Sequence, residues 1–284
     1  MTALLDVRDA TVTYPRPAAE GGPVMAVNGV SLTVEAGSIV GLVGESGCGK
    51  SSLGRAILGL VPLAAGEVRW RDRRIDKLPR ASFRPLRREL QLVFQDPTAS
   101  LDPRMTIAES VAEPLRALVP GLSAAGRDAR VEATLGEVGI AGELASRFPH
   151  QLSGGQLQRA CIARALAVDP AFLVCDEPVS ALDVSVQGQI VNLLARIRRE
   201  RGLGCLFISH NLAVVAHLAD HILVMHRGRI VESGSCAEVL TAPRHPYTRT
   251  LLESVPEVDP VSARRLIAGR ATGPDSAPSS RLTS

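Results

Sequence analysis

The segment Gly44-Glu45-Ser46-Gly47-Cys48-Gly49-Lys50-Ser51 constrains this chain more than anything else in it. It satisfies every fixed position of the phosphate-binding pattern G-x-x-x-x-G-K-[ST], and it sits in the context that gives the pattern meaning. Before it runs Ser38-Ile39-Val40-Gly41-Leu42-Val43, the nearly unbroken apolar stretch expected of a strand covered on both faces. After it, residues 52–60 have helical spacing. A loop so placed turns successive backbone N–H groups toward phosphate oxygens, and the helix adds the positive end of its dipole. The pattern assigns Gly44, Glu45, Ser46, Gly47, Cys48, Gly49, Lys50, Ser51 and Ser52 to nucleotide binding. Lys50 would bridge β- and γ-phosphate oxygens and Ser51 would ligate Mg2+. Of the 32 basic residues only Lys50 and Lys77 are lysines, so lysine at this position stands out against a background of arginine.

The rest of the chain reads as an α/β sheet protein. Residues 4–12 and 30–34 alternate apolar with polar, and Glu35-Ala36-Gly37 supplies a turn into the strand before the loop. Residues 15–23, rich in Pro, Ala and Gly, form a surface loop. Three further buried-type runs, 90–94, 171–175 and 204–208, end respectively in Gln95, Asp176-Glu177 and Ser209-His210. Ligands of parallel α/β sheets bind at the carboxyl ends of strands, so chemistry is expected at these residues. Residues 221–225 and 229–232 flank Arg227-Gly228 and predict a hairpin at the sheet edge. Residues of about 97–167 show helical spacing, as at Ile107, Val111, Leu115 and Leu118, and predict an inserted helical subdomain. From about residue 267 the chain lacks the apolar content to pack and is expected to be disordered.

Composition excludes several classes of function. A net charge of +3 spread over 284 residues marks neither a nucleic-acid patch nor a polybasic membrane anchor. The five cysteines are scattered, with no C-x-x-C pair, which fits reduced thiols in the cytosol. No signal-peptide pattern is read. The most apolar run, 212–225, is broken by His217, Asp220 and His221 and is shorter than the ~20 residues of a membrane span.

Two more motifs carry chemistry. Phe172-Leu173-Val174-Cys175-Asp176-Glu177 is an apolar strand ending in two carboxylates, Asp176 to hold magnesium and Glu177 to polarise the attacking water. Leu152-Ser153-Gly154-Gly155-Gln156 opens a helical stretch over 157–167, where a serine hydroxyl and glycine N–H groups can face an anion. With this pentapeptide in place, the chain resembles the ATP-binding-cassette (ABC) ATPases over residues 4–258. The resemblance implies an α/β fold with a P-loop NTPase (RecA-like) core, an antiparallel β subdomain and the inserted helical subdomain. It implies a nucleotide-binding domain over 1–245 and a C-terminal extension over 246–284. It also distributes roles: Gln95 as the Q-loop glutamine that touches Mg2+ and the water, and His210 as the switch histidine on the γ-phosphate. Asp183 of Ser180-Ala181-Leu182-Asp183 falls in the D-loop, and Tyr14 stacks on adenine. Ser153, Gly154, Gly155 and Gln156 contact the ATP of the opposite subunit. Glu177, His210 and Gln95 form the catalytic set, and Ser51, Gln95 and Asp176 the metal set.

Within that family, Phe94-Gln95-Asp96-Pro97-Thr98-Ala99-Ser100-Leu101-Asp102-Pro103-Arg104 and His245-Pro246-Tyr247-Thr248-Arg249 resemble the ATPase subunits of oligopeptide, dipeptide and nickel importers. The residues around the two carboxylates resemble the F-type subunit rather than the D-type. The expectations that follow are ATP and Mg2+ as ligands and ATP hydrolysis coupled to import of di- or oligopeptides. Nickel or another small solute, or a non-transport soluble ABC ATPase, stay as alternatives. The implied partners are a second, D-type ATPase subunit in a heterodimer, with a homodimer as alternative, and two transmembrane permease subunits. A periplasmic or lipid-anchored solute-binding protein acts indirectly, and no nucleic acid is involved. The implied location is the cytoplasmic face of the cell membrane. The His-Pro-Tyr-Thr-Arg segment yields no role from its chemistry and serves only as a family marker.

Overall fold

The computed structural model describes residues 3–16, 22–140 and 142–253. The tail from 267 and most of the 15–23 loop lie outside the described residues. Strands β1 (Ala3–Tyr14) and β2 (Val24–Glu35) pair antiparallel and bury one face, through Leu5, Val7, Ala10 and Val12 on one strand and Val27, Val30, Leu32 and Val34 on the other. Both run past their alternating apolar stretches, because the ladder pairs the backbone of their polar ends as well. After a turn at residues 36–38, β3 (Ile39–Val43) is buried throughout. Helix α1 (Lys50–Ile57) starts at Lys50, earlier than its apolar spacing indicates, because Gly49 takes the left-handed N-cap conformation at φ 111°.

A hairpin follows that the hydrophobic pattern does not announce. Strands β4 (Ala65–Trp70) and β5 (Arg73–Arg74) turn at Arg71 and Asp72, both at positive φ, the arrangement that matches strand twist in tight hairpins. They complete a four-stranded sheet of order β2-β1-β4-β5. Its charges pair across the surface, with Glu67 2.8 Å from Arg69 and 3.2 Å from Arg74.

The second sheet is six-stranded. Short helices α2 (Arg80–Phe83) and α3 (Leu86–Glu89) lead into β6 (Leu90–Val93). Helices α4 (Pro97–Ser100), α5 (Ile107–Leu118), α6 (Ala124–Glu137) and α7 (Gly154–Leu166) then intervene before β7 (Phe172–Asp176), and among the described residues no strand lies between β6 and β7. Ile107, Val111, Leu115, Leu135, Ile140 and Leu157 bind these helices into one apolar cluster. Helix α8 (Val184–Arg201), β8 (Gly204–Ser209), α9 (Leu212–Leu218), β9 (His221–His226), β10 (Arg229–Ser235), α10 (Cys236–Thr241) and α11 (Pro246–Glu253) finish the described chain. The apolar run 212–225 thus divides into a helix and a strand, and among the described residues no helix is long and apolar enough to cross a membrane.

Strand order in this sheet is β10-β9-β3-β8-β7-β6, parallel except for β10, which forms the expected edge hairpin. Each strand sends alternate residues to two different cores. Val40, Leu42, Val174, Leu206 and Ile208 join α1 and the antiparallel sheet. Ile39, Val43, Leu173, Cys175 and Phe207 join α8, α9 and the helical insert. The common strand direction brings residues 44–49, Gln95, Asp176-Glu177 and Ser209-His210 out at one edge.

Helix α9 lies on β3 through Gly41, where an added Cβ would stand 2.1 Å from Val215 Cγ1 and 3.0 Å from Ala219 Cβ. Gly41→Val should therefore lift α9 and cost about 2 kcal/mol of stability. The measurement is the urea unfolding midpoint, and an unshifted midpoint would mean that α9 yields freely.

Candidate active site

The loop after β3 is pressed between two strands that are remote in sequence. A Cβ on Gly44 would lie 2.1 Å from the Met225 carbonyl oxygen at the end of β9, and one on Gly49 would lie 2.0 Å from the Ala26 carbonyl oxygen on β2. Both glycines have positive φ, so neither the space nor the backbone admits another residue. Gly228 N–H donates to the Cys48 carbonyl at 2.9 Å, which fixes the far side of the loop. Cys48 is buried there, and burial pushes its thiol up from the ordinary value, against the opposing influence of Lys50.

Lys50 folds back into the loop it terminates. Its side chain is 3% exposed, and Nζ donates to the Gly44 carbonyl at 2.7 Å and the Glu45 carbonyl at 2.8 Å. Glu177 Oε1 lies 3.8 Å from the same ammonium. A buried cation held by loop carbonyls at the start of a helix has the chemistry of a polyphosphate cradle.

The acidic half of the site stands at the ends of β6, β7 and β8. Asp176, 3% exposed, accepts from Ser51 Oγ at 2.7 Å. Burial raises the pKa of Asp176 above the ordinary carboxylate value, while the Ser51 bond and Arg55 pull the other way. A hydroxyl and a carboxylate in contact are the hard oxygen donors that Mg2+ takes, so these residues fit the expected metal. Glu177 adopts φ 47°, a left-handed conformation that costs a non-glycine residue about 1–3 kcal/mol and concentrates at functional sites. Its N–H donates to the Ile208 carbonyl at 3.0 Å. Its Oε2 lies 3.0 Å from His210 Nδ1 and accepts from Gln95 Nε2 at 3.4 Å. Lys50, Gln95 and His210 thus converge on the Glu177 carboxylate, with Ser51 and Asp176 nearby. Gln95 bonds here to Glu177 rather than to the Ser51–Asp176 pair.

Other expected residues lie around this centre. Tyr14 is 36% exposed and donates its hydroxyl to Ser52 Oγ at 3.2 Å, which puts the ring at the mouth of the loop. Its strand partner Val24 and the adjacent Met25 are exposed as well. Val24 and Met25 were legible only as apolar residues outside the alternating stretch of β2. Ser153 caps α7 in a capping box with Gln156, and both Ser153 and Gly154 are exposed. Among the described residues no hydrogen bond joins Ser153–Gln156 to the phosphate loop of the same chain. That helix start packs on the first turn of α8, where a Cβ on Gly155 would meet Val186 Cγ1 at 2.6 Å. Asp183 stands exposed at the N-cap of α8 with no side-chain capping bond. The chain therefore presents two anion-competent surfaces that do not meet within it.

Comparison with known proteins gives the chain a family. Residues 27–180 match the ABC transporter family, and residues 231–280 match the oligopeptide/dipeptide transporter C-terminal region. The chain belongs to the ABC transporter family. It is 48% identical over 258 residues to the oligopeptide transport ATP-binding protein OppF of Haemophilus influenzae, covering 89% of this cassette and 78% of that protein. It is 51% identical over 243 residues to the glutathione import ATP-binding protein GsiA of Escherichia coli K12, covering 85% of this cassette but 38% of that longer protein. Among solved structures it resembles the dimeric post-hydrolysis state of the ATP-binding cassette MJ0796 bound to ADP and Pi, with a TM-score of 0.74 and 29% identity, covering 82% of this cassette and 98% of that chain. The cassette accordingly has the ABC ATPase fold and binds ATP.

The buried Asp176 charge has a measurable cost. Because the native pKa is raised, the folded state binds the proton more tightly, so the penalty is present above the native pKa and vanishes below the unfolded one. Asp176→Asn should make the nucleotide-free cassette about 1 kcal/mol more stable at neutral pH, with the gap closing as the pH falls, while magnesium-dependent ATP turnover is lost. Urea midpoints at neutral and acidic pH measure it, and a variant less stable at both would contradict it.

Proposed function

We propose that this cassette is the ATP-hydrolysing subunit of an importer of di- and oligopeptides. The observation that carries the catalytic part is the Glu177 carboxylate held among Lys50, Gln95 and His210 at the mouth of the phosphate loop. In this reading the phosphate loop of residues 44–52 and the Lys50 ammonium bind the β- and γ-phosphates, and Tyr14 stacks on adenine. Ser51 and Asp176, with Gln95 nearby, would hold Mg2+, which when bound would supply positive charge to offset that of the phosphates. Glu177 accepts a hydrogen bond from the attacking water and draws its proton as the water oxygen bonds to the γ-phosphorus, while the bond from that phosphorus to the bridging oxygen breaks and ADP leaves. Gln95 and His210 hold that carboxylate in place, and His210, half exposed, reaches the γ-phosphate.

The exposed start of α7 completes the site of a partner. Ser153, Gly154, Gly155 and Gln156 cap the nucleotide of a second cassette, while the partner's equivalent residues cap the nucleotide bound here. Asp183, beside them, lies in the same interface. The dimer of the solved relative supports this arrangement. Hydrolysis removes the γ-phosphate contacts on which closure depends. Kinship with OppF supports an F-type subunit paired with a different, D-type ATPase and two transmembrane permeases on the cytoplasmic face of the membrane, fed by a solute-binding protein. The C-terminal match and a glutathione-importing relative both point to peptides as cargo, since glutathione is itself a peptide.

Two measurements test this reading. Glu177→Gln should lower kcat for ATP by about 100-fold or more while ATP still binds, and in the presence of its partner cassette, ATP and magnesium it should accumulate as the closed dimer. Phosphate release and size-exclusion chromatography report the two effects, and hydrolysis at the wild-type rate would remove Glu177 from its role. In the reconstituted transporter, peptide-loaded binding protein should raise ATP turnover. Stimulation by a nickel chelate and by no peptide would overturn the choice of cargo.

A further inference from the structure

The C-terminal helix α11 reaches the phosphate loop. Tyr247, 202 residues beyond Glu45 in the chain, accepts a hydrogen bond from the Glu45 N–H at its hydroxyl, at 2.9 Å. The Glu45 N–H and the Gly44 carbonyl belong to a single planar peptide group. The Gly44 carbonyl is also the shorter of the two acceptors of the Lys50 ammonium, at 2.7 Å. One peptide is therefore pinned at both ends, by a phenol on its hydrogen and by the phosphate-binding lysine on its oxygen. It cannot rotate without losing both bonds.

We infer that Tyr247 is a positioning residue for Lys50, acting through the Gly44–Glu45 peptide. Gly44, at φ 155°, lacks the side chain that would otherwise restrict this peptide, and Glu45 is exposed, so the loop itself gives the N–H no fixed partner. An oxygen on the N–H end of an amide also polarises its carbonyl and strengthens the bond accepted there. The hydroxyl is presented by a socket. The Tyr247 ring stacks on His226 with centroids 4.1 Å apart and planes 20° apart, and His226 follows Met225, whose carbonyl already walls Gly44.

The neighbours of Tyr247 build the rest of that socket. Glu232 on β10 accepts from the Arg244 N–H at 2.7 Å and the His245 N–H at 3.0 Å. His245 Nδ1 accepts from the Tyr247 N–H at 3.2 Å, Thr248 is wholly buried, and Arg249 donates to the Pro243 and Arg244 carbonyls. The His-Pro-Tyr-Thr-Arg segment thus acquires a physical task, to carry one phenol to the nucleotide loop. Burial holds the pKa of that phenol above its ordinary value, so the hydroxyl keeps its proton at neutral pH.

The inference rests on Lys50 being the phosphate ligand, and the test separates the two. ATP binding is titrated calorimetrically on the full-length chain, with magnesium, for wild type, Tyr247→Phe, Lys50→Ala, the double variant and Thr250→Ala, a control on the same helix. Tyr247→Phe should raise the Kd for ATP about fivefold, the worth of one neutral hydrogen bond. On the Lys50→Ala background it should change the Kd less than twofold. Thr250→Ala should bind as wild type does, and the melting temperature of nucleotide-free Tyr247→Phe should stay within about 2 °C of wild type. In the assembled transporter, Tyr247→Phe should raise KM for ATP with kcat held within twofold, the signature of lost uniform binding. Wild-type affinity in Tyr247→Phe, an equal loss on the Lys50→Ala background, or an equal loss in Thr250→Ala would each overturn the assignment. Unchanged affinity in Lys50→Ala would instead overturn the phosphate-loop reading on which it stands.

Discussion

The juxtaposition of Lys50 and Glu177 organises everything around it. Two groups of opposite charge, 3% and 10% exposed, stand 3.8 Å apart at the ends of different elements. At that distance they attract without forming a hydrogen-bonded pair, and such an arrangement repays the removal of both charges from water only in part. The remainder is distributed. Lys50 gives its protons to two loop carbonyls, and Glu177 takes contacts from Gln95 and His210. In the proposed reading the lysine meets negative phosphate oxygens and the carboxylate meets a water, and ATP brings the first of these to the mouth of the loop.

This poise depends on backbone conformations that are locally unfavourable. Glu177 sits at φ 47°, and Gly44 and Gly49 occupy conformations and spaces closed to any side chain. The sheet that imposes them is buried on both faces and divides its strand residues between two cores, so neither core can relax without disturbing the other. Strain at the strand ends is thus sustained by packing several residues away. The raised pKa of Asp176 belongs to the same pattern: a carboxylate kept dry beside Ser51, at some cost in stability.

How much of this was legible beforehand depended on whether a residue's task is local. The phosphate loop, the two carboxylates and the capped start of α7 are local devices, in which a few consecutive residues impose a turn, a strand end or a helix start, and their spacing displays them. The parallel strands were equally visible, because burial on both faces leaves an unbroken apolar run. β4 and β5 were not, since Glu67, Arg69, Arg73 and Arg74 make them read as a charged surface segment; their pairing is decided by β1 and by positive φ at Arg71 and Asp72. Helix α1 began early because its start is set by the conformation of Gly49 and not by apolar spacing. The bond from Glu45 to Tyr247 lay beyond reach altogether. Nothing near position 247 indicates a partner some 200 residues away, and the segment could be read only as a marker.

The placement of α7 carries the last step. Its start is separate from the phosphate loop of its own chain yet packs tightly on the residues that introduce α8, through Gly154 against Leu182 and Gly155 against Val186. Those residues follow directly from the turn after Glu177, where Ser180 Oγ donates to the Glu177 carbonyl at 3.1 Å and Leu182 N–H donates to the Val179 carbonyl at 3.2 Å. A short stretch of backbone therefore joins the Glu177 carboxylate to the surface that, in the proposed dimer, would meet the partner's nucleotide. Interfaces packed at this density move as units rather than bending gradually. On this geometry Leu182 and Val186 stand between the turn that follows Glu177 and the glycines at the start of α7, so the position of that helix start is tied to the backbone that carries the carboxylate.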